Sequence, residues 1–176
     1  TEFPASDPFG TSLQLGSGIM VCGITGVGAY VPRLRIERSA IAAAHAWMAP
    51  GLKGQAKGTR AFCSWDEDAI TMAVEAARDC LTGQDRQSIR SVHLASTTFP
   101  YADLSNGVIV ASALGLEGDI SVSNLAGSQR AATTALVEAL RTGQENALII
   151  ASERPVALPA SMAEIQGGAG AVALRL

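Results

Sequence analysis

At 176 residues, with 48% hydrophobic side chains and only 5% aromatics, the chain is long enough for one domain whose core is made of Ala, Val, Leu and Ile. A net charge of -3, with no run of Lys or Arg reaching five, excludes the basic footprint of a nucleic-acid binder. No apolar stretch approaches the ~20 residues that cross a bilayer, so a membrane is not expected as a partner either.

Residues 1–19 are rich in Gly, Ser, Pro and Thr and lack the basic start and apolar centre of a signal peptide. With Met20 directly behind them, they read as a non-native leader or a loose arm, and residues 20–176 as the domain. Val21 to Ala29, punctuated by Gly23, Gly26 and Gly28, predicts a strand, after which Pro32 keeps Val31 extended. Glu37 to Trp47 predicts a helix stopped by Pro50-Gly51, with a loop as far as Gly58. Asp66-Glu67-Asp68 put negative charge where a helix dipole favours it, ahead of a helix over Ala69 to Leu81. Ile70, Ala73, Val74, Ala77 and Leu81 share one face of that helix. Then follow a strand over Ile89 to Ser96, a helix over Leu104 to Leu114 closed by Gly115, and a short strand over Ile120 to Val122. A helix over Ser128 to Leu140 comes next, and Ala147 to Ser152 and Gly170 to Leu176 are two last strands able to pair as a hairpin. The alternation of strand and helix implies an α/β fold with a mainly parallel sheet and right-handed crossovers.

Two glycine-rich stretches invite a phosphate-binding reading and fail it. Gly23-Ile24-Thr25-Gly26-Val27-Gly28 is followed by Pro32 rather than by a helix whose N-terminus meets a pyrophosphate, so these glycines ease a strand past neighbouring backbone. Gly167-Gly168-Ala169-Gly170 lacks the Gly-Lys-Ser/Thr ending of a phosphate loop and reads as tight packing before the last strand. The cysteines Cys22, Cys63 and Cys80 have no metal-ligand spacing and are odd in number, which argues for a reduced, cytoplasmic setting and no metal site. His45, on a helix, and His93, within a strand, read as structural or surface residues.

Four motifs carry a more specific message: Tyr30-Val31-Pro32-Arg33-Leu34-Arg35-Ile36, then Lys57-Gly58-Thr59-Arg60 leading to Trp65-Asp66-Glu67-Asp68, then Ser96-Thr97-Thr98-Phe99-Pro100-Tyr101, and finally Ser123 to Leu136. Together, from about Val21 to Leu176, they resemble the first half of the 3-hydroxy-3-methylglutaryl-CoA synthases, the archaeal type in particular, and of ketoacyl-carrier-protein synthase III within the thiolase superfamily. The resemblance implies one half of a duplicated fold, with a five-stranded sheet and a buried central helix. Such enzymes hold a nucleophilic cysteine at the N-terminus of that helix, where the helix end and backbone N–H groups lower the thiol pKa and stabilise the attacked carbonyl.

The family's Cys-Lys-Ala-Gly-Thr type of motif falls on Gln129-Arg130-Ala131-Ala132-Thr133, so the cysteine position holds Gln129. The family's acid/base glutamate falls on Thr97, whose hydroxyl does not replace a carboxylate. Ser128 is adjacent, but nothing in the sequence places a base to activate it, and Cys63 is the alternative thiol. Glutamine for cysteine also resembles the loading ketosynthase domains that decarboxylate, although those rely on second-half histidines. Lys57, Arg60 and Arg35 are the cationic candidates for the phosphates of coenzyme A, and Gln129 with its neighbouring N–H groups is placed to hold a thioester carbonyl. No cofactor is implied beyond coenzyme A or acyl-CoA as ligand. The expected function is the acyl-CoA-binding half or subunit of a condensing acyltransferase system, inactive alone. The alternative is a non-catalytic assembly module that uses the fold's dimerisation surface. A half-fold leaves an apolar face uncovered, so a homo-oligomer or a second, completing subunit is expected.

Overall fold

The computed structural model describes residues 22–176; the leader expected over residues 1–19 and the first residue of the expected opening strand lie outside the described residues. Among these residues the five strands and four helices that the sequence predicts follow one another in order, and two short strands flanking the first helix and a short helix over Met162–Gln166 are added. The main sheet contains β1 (Gly26–Tyr30), β4 (Ser91–Ala95), β5 (Ser121–Leu125), β6 (Ala147–Glu153) and β7 (Gly170–Arg175), in the spatial order β1-β7-β6-β4-β5. β6, β4 and β5 run parallel, β7 lies antiparallel to β6, and β1 antiparallel to β7. The two last strands therefore pair directly, from Leu148 opposite Arg175 to Glu153 opposite Gly170. The parallel character is concentrated in the half of the sheet that carries β4, β5 and β6.

β2 (Arg35–Glu37) and β3 (Thr59–Ala61) form a separate antiparallel ribbon. With α1 (Arg38–Ala44), a 3-10 turn over Pro50–Gln55 and α5 (Met162–Gln166), it encloses a small core of Ile41, Ala42, Leu52 and Ile165. α1 is shorter than the helix expected as far as Trp47; the chain turns beyond Ala44 and leaves Trp47 81% exposed.

α2 (Ala69–Cys80) is the best-anchored helix. The Asp68 carboxylate accepts from the N–H groups of Ile70 and Thr71 at 2.9 and 2.8 Å, and the Thr71 hydroxyl accepts from Asp68 N–H at 2.7 Å. This reciprocal capping satisfies three backbone donors that the first turn would otherwise leave open. The face read from the sequence is buried: Ile70, Ala73, Val74, Ala77 and Leu81 all belong to the main core. β1 crosses this helix closely enough that a Cβ on Gly28 would lie 2.2 Å from Cys80 N and 2.4 Å from Ala76 O. Of the glycine run Gly28 thus serves close packing, whereas nothing lies within 4 Å of a Cβ built on Gly23, and β1 is followed by a loop into β2 rather than by a helix.

α3 (Asn106–Ala113) covers the same side of the sheet; α4 (Ala131–Thr142) covers the other. α4 begins three residues later than the helix expected from Ser128, because Ser128 folds into a turn of its own. Its carbonyl accepts from Ala131 N–H at 3.1 Å and its Oγ from Arg130 N–H at 3.1 Å. The expected buried central helix is buried along one face only. Ala135 and Ala139 pack against Ala147, Ile149 and Leu176, whereas Thr133, Thr134, Val137 and Glu138 meet solvent. Nothing among the described residues forms the second layer that would cover them.

Candidate functional site at the strand ends

Three parallel strands deliver their carboxyl ends to one edge, the usual place for ligand chemistry in an open α/β sheet. Ala95, Leu125 and Ala151 lie side by side there, and Ser96 N–H donates to the Leu125 carbonyl at 3.0 Å. Strand alternation directs Val92, Leu94 and Ser96 towards α2, and hence Thr97 towards the α4 side. By the same alternation Leu148 and Ile150 face α2 while Ile149 and Glu153 face α4.

Glu153 is the residue that sequence reasoning missed. Its Oε1 accepts from Thr97 N–H at 2.7 Å, and its Oε2 accepts from the Thr97 hydroxyl at 2.9 Å and the Thr98 hydroxyl at 3.1 Å. Thr98 Oγ1 in turn accepts from Arg154 N–H at 2.9 Å and lies 3.2 Å from Ser96 Oγ. Thr97 therefore does not supply a carboxylate but holds one, half-buried, at the edge. An acidic residue closing the apolar run Ala147 to Ser152 was the available signal; its partner lies 56 positions away in sequence.

Ser128 and Gln129 occupy the exposed turn between β5 and α4, on the neighbouring strand end. The Ser128 oxygen is engaged by Arg130 N–H, and no base among the described residues hydrogen-bonds to it. Arg130 precedes α4 without a side-chain cap, and the N–H groups of Arg130 and Ala131 are taken up by Ser128. Cys63 is not a substitute. Burial first of all pushes its thiol above the ordinary value, and Glu67 and Asp68 push in the same direction against Arg154. Its Sγ lies 3.7 Å from Met72 Sδ in the main core, conditions under which a cysteine is inert.

The cationic trio does not converge. Cross-strand partners share a face, and Arg60 stands opposite Ile36 while Arg35 stands opposite Ala61, so the two arginines leave the ribbon on opposite faces. The Arg60 guanidinium donates to the Glu164 carbonyl, and its Nε is buried without a partner. Arg35 donates to the carbonyls of Pro32 and Leu34, and the Lys57 side chain is exposed. His45 meets the Glu164 carboxylate at 3.2 Å, a structural contact as expected. A groove of about 920 Å³ runs along α2 and α3 on the opposite face of the sheet, lined by Tyr30, Glu67, Ile70, Val74, Arg78 and Ile109 among others. The Tyr30 hydroxyl donates to Glu67 there, which holds its pKa above the ordinary value. None of the strand-end residues lines this groove, so its size does not make it the site of the chemistry.

The chain and its fold have counterparts among known proteins. Hydroxymethylglutaryl-CoA synthase of Thermococcus gammatolerans is 34% identical over 157 residues, a match that takes in 86% of this chain and 43% of that protein. The chain is one half of a thiolase-type fold, related to the hydroxymethylglutaryl-CoA synthases. Among solved structures, MvaS in complex with 3-hydroxy-3-methylglutaryl coenzyme A superposes with a TM-score of 0.75 at 20% identity, covering 86% of this chain and 38% of MvaS. The priming β-ketosynthase of the R1128 polyketide pathway gives 0.73 at 24% identity, with 86% and 48% covered. No family model matches the chain. The thiolase-type half spans less than half the length of the synthase it matches at 34% identity.

Proposed function

We propose that this thiolase-type half is the acyl-CoA-binding half or subunit of a condensing system like that of the hydroxymethylglutaryl-CoA synthases, and that it does not supply the cysteine nucleophile. The observation that carries the reading is the strand-end edge. Glu153, held by Thr97 and Thr98, stands on the same edge as the turn that presents Gln129 at the head of α4. N–H groups at a helix head suit a thioester carbonyl, and Gln129 adds a neutral amide in place of a thiolate. A carboxylate nearby gives the edge a proton acceptor.

A coenzyme A ligand is supported by the solved relative that carries one. For its phosphates, Lys57 and Arg35 are the side chains with exposure to spare; Arg60 braces the ribbon through Glu164. Completion by a homologous copy or a second subunit is supported by the uncovered face of α4 and by the 43% share of the synthase that the chain spans. The three free cysteines fit a reducing, cytoplasmic setting.

Calorimetric titration with acetyl-CoA tests the reading. Saturable binding that weakens at least ~10-fold in Lys57→Glu combined with Arg35→Glu is expected for phosphate recognition. Absence of binding to a protein that light scattering shows to be a stable oligomer would sink it in favour of an assembly module, a reading for which the exposed Thr133, Thr134 and Val137 already speak. Acetyl-CoA with acetoacetyl-CoA should give no condensation product with this chain alone; turnover would overturn the proposed division of labour.

A further inference from the structure

His93 does more than fill a strand. Its partner in the β4–β5 register is Ser123, and parallel partners share a face, here the α4 side that also carries Ile149. Ser123 Oγ lies 2.7 Å from His93 Nδ1, and Gln144 Oε1 lies 3.0 Å from His93 Nε2. An amide oxygen only accepts, so Nε2 carries the ring proton, Nδ1 is left with a lone pair, and the Ser123 hydroxyl is the donor. Serine to imidazole to carbonyl oxygen is the order in which a base-activated nucleophile is assembled.

The third member is placed by a helix end rather than by chance. α4 stops at Gly143, whose φ of 64° is left-handed, and Gln144 N–H returns to the Ala139 carbonyl at 2.9 Å. The Gln144 carbonyl is met by Cys22 Sγ at 3.4 Å. Both backbone groups being engaged, the side chain is aimed at His93. Ser123, His93 and Gln144 are all half-buried rather than sealed in the core. β5 is the last strand of the sheet among the described residues, so backbone N–H groups on its outer side have no strand partner and lie beside Ser123.

We propose that Ser123, His93 and Gln144 form a serine-nucleophile site for small acyl esters or thioesters, separate from the strand-end edge. In the step, Ser123 Oγ forms a bond to the acyl carbon as its proton passes to His93 Nδ1. The carbon–oxygen or carbon–sulfur bond to the leaving group breaks, and His93 returns the proton to the departing alkoxide or thiolate. Water, deprotonated by His93, then releases the acid and restores Ser123. Gln144 is a positioning residue, holding the tautomer that leaves Nδ1 basic.

A fluorophosphonate probe reads the first half of this step without coenzyme A. The Oγ–P bond forms, fluoride leaves, and the peptide carrying the label is found by mass spectrometry. In the unmodified protein the label is expected on Ser123 at least ~10-fold faster than on the exposed Ser39 or Ser112, and His93→Gln should remove that advantage. Gln144→Leu should slow labelling, and Gln144→Glu, which keeps the acceptor, should restore it with an unchanged thermal midpoint. Labelling of Ser123 no faster than of Ser39, or labelling indifferent to His93→Gln in a folded variant, overturns the site. Neither result bears on acetyl-CoA binding at the strand ends.

Discussion

On one side of the sheet, α2 and α3 close over Val92, Leu94, Leu148 and Ile150, and Met72, Ala73 and Ala76 are fully shielded from solvent. On the other, α4 contributes only Ala135 and Ala139 as buried residues, against Ala147, Ile149 and Leu176. Both helices have twelve residues. They differ in their anchorage: α2 is capped by Asp68 and Thr71 and pressed against Gly28, whereas α4 starts without a side-chain cap and shows Thr133, Thr134 and Val137 to water. A surface finished on one face and open on the other is what half of a layered fold should look like before its second layer is added. The groups to which chemistry is proposed, Glu153, Gln129 and the Ser123–His93–Gln144 relay, belong to the open side or its edge.

Substitutions should register this asymmetry as different losses of stability in urea unfolding. Leu148→Ala, at a side chain with no exposure, should cost about 3 kcal/mol, since buried contacts are lost and a cavity remains. Gly28→Ala should cost about 2 kcal/mol, because the new methyl group meets helix backbone that has no flexible end to move aside. Asp68→Ala removes the α2 cap and should cost about 1 kcal/mol. Val137→Ala, on the open face of α4 and 39% exposed, should change stability by less than about 0.5 kcal/mol in the isolated chain. A core-sized loss at Val137 would break the comparison by showing that a partner already covers α4 under the conditions of measurement. Val137→Asp then sharpens it, since it should leave the monomer's unfolding midpoint nearly unchanged yet prevent assembly seen by light scattering.

Much of the fold was legible because its signals are local. The face of α2 is a 3.6-residue periodicity, and β6 is an apolar run bounded by polar residues. β5 was expected to end at Val122 and extends to Leu125, because Ser123 and Asn124 are polar by composition yet find partners across the strand. Asn124 Oδ1 accepts from Gly107 N–H at 2.7 Å, a bond that α3 supplies and that no window around Asn124 contains. The start of α4 was misplaced for a related reason, Ser128 satisfying backbone groups in a turn before the helix takes over. At the site, Thr97, Ser128 and Gln129 lie in the segments that follow the neighbouring strands β4 and β5, whereas Arg35 and Arg60 are parted by the two faces of a ribbon.

The sequence by itself determined the order of the five main-sheet strands and of α1 to α4, the face of α2 that turns inward, and the apolar run of β6. These depend on residue type and on spacings of two to four positions, which survive without any knowledge of neighbours in space. Only the tertiary structure decided that Glu153 meets Thr97, that His93 lies between Ser123 and Gln144, and that one face of α4 stays open. Those contacts join residues 56, 30 and 51 positions apart. Ser123, His93 and Glu153 are placed by strand register, in which a slip of one residue would turn each to the other face of the sheet, and Gln144 is placed by the end of α4.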